Sequence, residues 1–361
     1  MNTLFRTGLV LCLSWLSLSS LAQQKGSAAA TEQLQAVPPA NEAVNPNDHL
    51  LKLDVVVSDR TGKAVPGLQA KDFVVLDNKK PQKVISFAAT DGSVQAEPPV
   101  KILLVVDEVN TSYTTVTYAR DEIKKFLMQN GGQLAHPVGL AFFSDSGTEI
   151  LNDSSRDGKA LLASFDQHET ALRSIRRSTG FYGAEEKFQL SLKMLNVLTE
   201  REDQIPGRKM VVWVSPGWPL LSGPNIQLTD KNLKGIFSSI VATSTGMRNA
   251  RMTLYSVDPL GVADAGRGFY YEEFLKPVLV PNNSQLADLS LQVLAIQTGG
   301  LVLRGSTDIT AQIRRAVSDA DAFYTLTVEM PPAEPNEYHA IDVKVEQPGL
   351  TARTRRGYYG Q

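Results

Sequence analysis

The chain has 361 residues, of which 42% are hydrophobic, and its formal net charge is −2. This composition is sufficient for a buried core divided between about two domains. Two short basic clusters, within residues 173–177 and 353–356, lack interleaved aromatic residues and are expected to be solvated faces. Because nucleic-acid binding depends on a concentrated positive field, no nucleic-acid partner is expected.

The N-terminus has the pattern of a secretory signal peptide. Arg6 precedes an apolar run over residues 9–18, and Ala22 closes a small-residue cleavage site. The pattern predicts that residues 1–22 are removed on export. The alternative, a transmembrane anchor, is disfavoured because a spanning helix needs about 20 apolar residues. We therefore expect a periplasmic or extracellular protein with no transmembrane segment in the mature chain.

The single cysteine, Cys12, lies within the predicted signal peptide. The mature chain is therefore expected to have no disulfide, no thiolate metal site and no cysteine nucleophile. Residues 23–49 are rich in Ala, Gln, Pro and Asn and have no periodic apolar pattern. Such a composition predicts a disordered linker.

Two segments with alternating apolar residues flank the middle of the chain. Residues 50–90 contain the alternation Leu51, Leu53, Val55, and residues 322–359 contain a similar alternation that includes Ile341 and Val343. This period predicts half-buried β-strands. Because so few strands bury little surface alone, we expect the two segments to form one sandwich-like module. Two unrelated small sheets are the alternative.

Residues 98–320 have a different character, since apolar strands alternate with helical patterns. Strands are predicted at residues 102–106, 137–143, 149–152, 210–214, 252–257 and 301–303. Helices are predicted at residues 115–129, 184–200, 233–247, 286–297 and 309–320. This alternation indicates a Rossmann-like α/β domain with a mainly parallel sheet, inserted between the two β segments.

The candidate site lies at the carboxyl ends of these strands. Ligands of open α/β sheets bind there, where the strand order reverses. The segment Asp107-Glu108-Val109-Asn110-Thr111 follows the first strand of the domain, and Ser215-Pro216-Gly217 follows the fourth. The predicted ligand-binding edge consists of Asp107, Asn110, Thr111, Thr179, Ser215 and Trp218. Trp218 is either a partner anchor or part of the core.

These residues resemble the metal-ion-dependent adhesion site of von Willebrand factor type A domains, in which Asp-x-Ser-x-Ser, a loop Thr and a further Asp bind Mg²⁺. Asp107, Thr111 and Thr179 match ligand positions, whereas Val109 replaces a Ser and Ser215 stands where an Asp is expected. The resemblance implies Asp107, Thr111 and Thr179 as the candidate metal ligands of a degenerate site. Since Mg²⁺ requires charged or well-placed oxygen ligands, we expect no confident metal site and no cofactor. Alternatively, Asp107 caps the turn after its strand.

The order of several short motifs is similar to a narrower group, the VWFA-related acidobacterial domain family. The motifs are Val57-Ser58-Asp59, Val65-Pro66-Gly67-Leu68, Asp72-Phe73, Pro81-Gln82, Asp107 to Thr111, Tyr255-Ser256-Val257-Asp258-Pro259, Gly299-Gly300 and Arg356-Gly357-Tyr358-Tyr359. The resemblance extends over about residues 50–359. It implies export and a type A domain, and no defined biochemical role.

The function expected from the sequence is an exported binding or adhesion-type module that recognises a protein or another extracytoplasmic ligand. No enzyme is expected, because the sequence has neither a G-x-S-x-G elbow nor a P-loop. The four histidines, at positions 49, 136, 168 and 339, are scattered and are expected to be ordinary surface or loop residues. The alternatives are a structural subunit of an envelope assembly, using strand addition, and an uncharacterised hydrolase.

Overall fold

The structure is a computed structural model that describes residues 49–91, 98–144, 147–168, 181–222, 228–261 and 270–361. The predicted signal peptide, residues 1–22, and residues 23–48 of the predicted linker lie outside the described residues. Within the described ranges, no helix is both long enough and apolar enough to cross a bilayer.

Fourteen strands and six α-helices make up the described part of the chain. The strands are β1 (Leu50–Ser58), β2 (Phe73–Asp77), β3 (Lys80–Gln82), β4 (Val84–Thr90), β5 (Lys101–Asp107), β6 (Gln133–Ser144), β7 (Gly147–Asp157), β8 (Lys209–Val214), β9 (Met252–Val257), β10 (Val302–Leu303), β11 (Phe323–Glu329), β12 (Tyr338–Val345), β13 (Thr351–Arg353) and β14 (Gly357–Tyr359). The helices are α1 (Tyr113–Leu127), α2 (Gly158–Gln167), α3 (Phe181–Asp203), α4 (Asp230–Asn249), α5 (Leu291–Gln297) and α6 (Ile309–Val317). Short 3-10 helices lie at Ala70–Asp72, Gln129–Gly132, Tyr270–Phe274, Pro281–Asn283, Leu286–Leu289 and Ser318–Ala320.

The middle of the chain forms a six-stranded, mainly parallel sheet with the order β10-β9-β8-β5-β6-β7. Only the edge strand β7 is antiparallel, pairing with β6. The six strands can be numbered by their order along the chain. Starting at the β7 edge, the sheet then contains the third, second, first, fourth, fifth and sixth strands. This is the order of a doubly wound sheet, and it reverses between β5 and β8.

The central strands β5 and β8 are buried on both faces, which explains their continuous apolar runs. Leu103 and Trp213 belong to a core that also contains Leu195 of α3. Leu104 lies in a second core, on the other face, together with Ile123 of α1. Alternate residues of each strand therefore pack against helices on opposite faces of the sheet, as the β-α alternation predicts.

The two ends of the described chain share two four-stranded antiparallel sheets, with the orders β13-β1-β11-β4 and β14-β12-β2-β3. β1 pairs with β11, and β2 pairs with β12, so each sheet contains strands from both segments. Apolar residues of the two sheets, among them Leu53, Val75, Leu326 and Val343, belong to one core. Neither segment buries its apolar face alone.

A buried carboxylate connects the α/β sheet to this β part. Asp319 is 1% exposed and accepts hydrogen bonds from Tyr255 Oη of β9 at 2.8 Å and from Arg315 Nη1 at 2.9 Å. It also accepts a hydrogen bond from Arg353 of β13. The expectation that residues 353–356 form a solvated basic face is therefore wrong, because Arg353 neutralises a buried acid. Arg355 is also buried, and Arg356 alone of the three arginines is exposed.

Three predicted elements differ in the structure. The helix expected over residues 286–297 is divided at Ser290, whose extended backbone (φ −71°, ψ 154°) separates a 3-10 helix from α5. The strand expected at 149–152 is the eleven-residue β7, which has irregular register with β6. The helix α2 was not predicted, although Asp157 caps it by accepting from the backbone N–H of Lys159 at 2.9 Å.

Candidate functional site

The reversal of strand order brings the ends of β5 and β8 together. Asp107 is the last residue of β5, Ser215 follows β8, and Val106 is in register with Val214. The backbone N–H of Ser215 donates to the carbonyl oxygen of Val257 on β9 at 2.9 Å. The loops after the first and fourth strands therefore meet at one edge of the sheet.

Asp107 is buried, with 1% exposure, and both of its carboxylate oxygens are engaged. Oδ1 accepts from the backbone N–H groups of Val109 and Asn110, each at 2.9 Å. Oδ2 accepts from Asn110 Nδ2 at 2.8 Å and from Trp213 Nε1 at 3.0 Å. Asp107 thus fixes the turn after its own strand and binds the neighbouring strand.

The residues at this edge do not form a donor set suited to Mg²⁺. A cation at Asp107 would have to displace one of four hydrogen-bond donors, and Val109 is buried and has no side-chain oxygen. Burial raises the pKa of Asp107, although hydrogen bonds from Asn110 and Trp213 oppose this rise. Within the described ranges, no three His, Cys, Asp or Glu residues are grouped so that they would hold a metal ion.

Of the six predicted edge residues, Trp218 is buried, and Thr179 is not among the described residues. Trp218 is 3% exposed and packs edge-to-face against Trp213, with 5.2 Å between ring centroids. The expectation of an exposed anchor is therefore wrong for Trp218, because its large apolar surface completes the core below the loop. Thr179 lies outside the described residues.

Asn110 and Thr111 present polar oxygens that have no protein partner. Asn110 Nδ2 donates to Asp107 and also to Ser191 Oγ, the latter at 2.8 Å. Asn110 Oδ1 and Thr111 Oγ1 are buried and have no hydrogen-bond partner among the residues that the structure describes. Since buried polar groups are nearly always paired, these oxygens require a water molecule or a ligand.

An exposed aromatic residue follows Asn110 and Thr111 closely along the chain. Ser112 caps α1 by accepting from the backbone N–H of Thr115 at 3.3 Å, so the helix begins directly at the carboxyl edge. Tyr113 is the first residue of α1, and 62% of its surface is exposed. Sequence analysis missed Tyr113, because the helix was predicted to begin two residues later.

A cluster of titratable groups, also missed from the sequence, lies next to Asp107. His168 Nδ1 is 3.0 Å from Glu149 Oε2, and His168 Nε2 is 4.0 Å from Glu108 Oε1. Both Glu108 oxygens are buried without a hydrogen-bond partner in the described ranges. Burial raises the pKa of Glu108 to about 7, with Arg120 lowering it and Asp107 and Glu149 raising it. Burial also lowers the pKa of His168, against the effect of Glu149.

The sequence predicts that all four histidines are ordinary surface or loop residues. The structure shows that this is not true of all of them. The His168 ring stacks on Phe142, with 3.5 Å between centroids. His339 is 5% exposed, and its Nδ1 is 2.8 Å from Asp77 Oδ1. Scattered positions along the chain do not indicate exposure, because the C-terminal end of α2 brings His168 against Phe142 of β6 and the pairing of β12 with β2 brings His339 against Asp77.

The comparisons with known proteins identify no family. No protein-family model matches the chain, and no curated protein matches it. Among solved structures, the chain is similar to the human COPII-coat protein Sec24c, with 12% identity, a TM-score of 0.33 and coverage of 76% of this chain and 46% of that chain. It is also similar to the pilus adhesin SpaC from Lactobacillus rhamnosus GG, with 11% identity, a TM-score of 0.31 and coverage of 82% and 49%.

A third similar structure is the SpRpn10 VWA domain, with 15% identity, a TM-score of 0.26 and coverage of 59% of this chain and 93% of that chain. The chain thus spans about half the length of the Sec24c and SpaC chains. TM-scores at this level carry no argument about function. The strand order defines the α/β part, and the contacts described above define the candidate site.

Proposed function

We propose that this protein is an exported binding protein that recognises a protein ligand through the carboxyl edge of its α/β sheet. The observation that carries the proposal is the combination of two buried, unpartnered oxygens, Asn110 Oδ1 and Thr111 Oγ1, with the exposed ring of Tyr113. An aromatic anchor beside polar groups is the usual composition of a binding hot spot.

The chemistry of this edge favours a partner that donates hydrogen bonds. The unpartnered acceptors are an amide carbonyl oxygen, a hydroxyl oxygen and the carboxyl of Glu108, while Trp218 Nε1 is an unpartnered donor. Backbone N–H groups or a lysine side chain of the partner would satisfy the acceptors, while an apolar side chain would cover Tyr113. In this proposal no Mg²⁺ takes part, because Asp107 uses its oxygens to hold the loop.

The remaining parts of the chain have supporting roles in the proposal. The α/β sheet is a von Willebrand type A domain, inserted in a sandwich-like module that the two antiparallel sheets form. Their shared core, in which Leu53 and Val343 take part, supports this arrangement. Export depends on the signal-peptide pattern of residues 1–22.

The cluster of Glu108, His168 and Glu149 is the feature that most favours an enzyme instead, since perturbed pKa values often mark catalytic sites. A hydrolase that acts through a covalent intermediate also needs a side-chain nucleophile that contacts its base. Among the described residues, the His168 ring has no hydroxyl within hydrogen-bond distance, and it is 4.0 Å from Glu108. We therefore propose that the protein is not an enzyme.

A comparison of two exposed apolar residues tests the proposed function. The mature chain, residues 23–361, is immobilised and exposed to an envelope extract of the native host. Tyr113→Ala removes the anchor at the carboxyl edge. The matched control is Ile85→Ala, since Ile85 is 50% exposed and lies on the edge strand β4 of the β part.

We expect the proteins retained by the wild type to be retained by Ile85→Ala and lost with Tyr113→Ala. Thermal melts of both variants should match the wild type, because neither side chain is buried. Retention that is unchanged in Tyr113→Ala and lost in Ile85→Ala would contradict the proposal. That result would support a structural subunit that binds through its β part.

A further inference from the structure

A pocket lies on the side of the α/β sheet where α4 and α5 meet the strands β12 and β14. Its cavity volume is about 40 Å³, and the pocket is open to solvent on one side. The lining is mainly apolar and includes Ile240, Met247, Val278, Leu294 and the ring of Tyr359. Small-molecule sites typically combine such an apolar lining with a few polar groups.

Arg355 lines this pocket and has no counter-ion in contact with it. The residue is 8% exposed, and the nearby carboxylate of Asp54 attracts its guanidinium, although the two form no salt bridge in the described part of the chain. Burial lowers the pKa of Arg355 to about 10, and repulsion from Arg248 adds to this effect. Arginine is almost never buried without a partner, because desolvation of the charge is costly.

The two neighbouring arginines show that the state of Arg355 is specific to its position. Arg353 makes a salt bridge with the buried Asp319, and Arg356 is exposed to solvent. Arg353, Arg355 and Arg356 therefore have different environments, and of the three only Arg355 lines the pocket. An anionic group bound in the pocket would pair with this guanidinium.

Tyr338 supplies a second polar group. It lines the same pocket, and its hydroxyl makes no hydrogen bond within the described ranges. Burial raises the pKa of Tyr338 to about 12, although Arg355 lowers it, so the hydroxyl keeps its proton at neutral pH. Gly357 permits this arrangement, since a Cβ at that position would lie 2.3 Å from the Tyr338 hydroxyl oxygen.

Two other charged residues line the pocket. Lys276 is positive, and Asp288 is an acid whose Oδ2 accepts from the backbone N–H of Gln285 at 2.7 Å. Burial raises the pKa of Asp288 to about 6. With two cationic residues and one acidic residue, the charged lining as a whole favours an anion.

We propose that this pocket binds a small organic carboxylate with an apolar tail. The carboxylate pairs with the Arg355 guanidinium and accepts a hydrogen bond from the Tyr338 hydroxyl. The tail packs among Ile240, Met247 and Leu294. A guanidinium matches the two oxygens of a carboxylate, which makes Arg355 more selective than a point charge.

Titration of the folded mature chain with sodium hexanoate tests this proposal, using calorimetry and thermal melts. The control probes are hexanamide, which has the tail without the charge, and orthophosphate, which has the charge without the tail. We expect saturable binding of hexanoate with a rise in melting temperature, and much weaker effects of both control probes. Equal binding of hexanamide or orthophosphate would overturn the proposal, as would no binding of hexanoate at millimolar concentration.

Variants locate the binding in the pocket. Arg355→Met keeps the length of the side chain and removes an unpaired buried charge, so the fold should tolerate it. We expect it to weaken hexanoate binding about tenfold or more, since it removes a charge-assisted hydrogen bond. The matched control Arg356→Met should bind as the wild type does. Unchanged binding in Arg355→Met, or equal loss in both variants, would overturn the proposal.

A second variant keeps the test decisive if Arg355→Met does not fold. Tyr338→Phe removes one hydroxyl and no charge, and its ring keeps its packing against Tyr359, 5.1 Å away between centroids. We expect it to bind hexanoate several-fold more weakly than the wild type. Unchanged affinity in Tyr338→Phe would contradict the assigned site.

Discussion

Asp107, at the end of β5, accepts a hydrogen bond at 3.0 Å from the indole nitrogen of Trp213, on the neighbouring strand β8. This bond joins β5 and β8 at the point where the strand order reverses. Together with its other three hydrogen bonds, it gives Asp107 a structural role at this edge that does not depend on a metal ion. Asp107 is an acceptor that organises the edge, and the groups left free to meet a ligand are Asn110, Thr111 and Tyr113.

Replacement of Asp107 should reduce stability strongly. Asp107→Ala would leave the buried N–H groups of Trp213, Asn110 and Val109 without an acceptor, which we expect to cost about 3–5 kcal/mol. Asp107→Asn should cost less, because one carbonyl oxygen remains. Urea unfolding measures both effects. The exposed Asp342 provides the control, and Asp342→Ala should change the free energy of unfolding by less than about 0.5 kcal/mol. Equal stabilities of Asp107→Ala and the control would contradict this role.

Added Mg²⁺ or Mn²⁺ should have little effect on the protein. The carboxylate oxygens of Asp107 already accept four hydrogen bonds, and Ser215 stands where a second carboxylate would be required. Calorimetry with millimolar Mg²⁺ should show negligible heat, and a chelator should leave the melting temperature unchanged. Tight binding that Asp107→Asn abolishes would show that a metal site exists at this edge.

Glu108 should make stability depend on pH near neutrality. Its folded pKa, about 7, is above the value of an unfolded glutamate, so its contribution is complete at low pH and is lost as pH rises through 7. Glu108→Gln, which has no charge to desolvate, should therefore gain stability relative to the wild type between about pH 5 and pH 8. Urea unfolding of both proteins across this range measures the difference.

His168 changes stability in the opposite direction, since its lowered folded pKa causes loss of stability as pH falls. Because His168 Nε2 lies 4.0 Å from Glu108 Oε1, the comparison of Glu108→Gln with the wild type is repeated in the His168→Gln background, which removes this contribution from both proteins. Asp107, Glu149 and Arg120 also face Glu108 and are present in both proteins. Parallel stability curves for the two proteins would contradict the raised pKa of Glu108.

The sequence was sufficient to predict the architecture of the α/β part. The continuous apolar runs of β5 and β8 indicate strands buried on both faces, and their order along the chain predicts that Asp107 and Ser215 meet. The start of α1 was predicted two residues late, so Tyr113 was not recognised as the first residue of the helix. The Asp157 cap and the spacing of Leu161 and Phe165 were sufficient signals for α2.

Side-chain environments were less predictable, for a physical reason. The basic cluster at residues 353–356 predicts that Arg355 is exposed. Its burial depends on the pairing of β14 with β12 across the sheet. The orientation of Trp218 likewise depends on the space beside Trp213. The sequence pattern does not predict such contacts, because they depend on how the chain packs in three dimensions.

Asp319 should be essential to the junction between the two parts of the fold. Although burial raises the pKa of Asp319, Arg353 and Arg315 lower it below the ordinary value, so its stabilising effect is present at neutral pH and lost in acid. Asp319→Ala would leave Arg353 buried without its counter-ion and should cost about 3–5 kcal/mol. The control is Asp321→Ala, whose pair with His136 is exposed and worth less than about 1 kcal/mol. Urea unfolding at pH 7 distinguishes them, and similar losses in both would contradict the account.

Site-specific photo-crosslinking tests the central claim, that the carboxyl edge is the binding surface. The photoreactive amino acid p-benzoylphenylalanine replaces Tyr113 in one protein and Ile85 in a second, and both are irradiated in the native envelope. Both positions are exposed, so the reactive group is accessible in either case. The account predicts a discrete crosslinked species from position 113 and none from position 85. A crosslink from position 85 alone would contradict it.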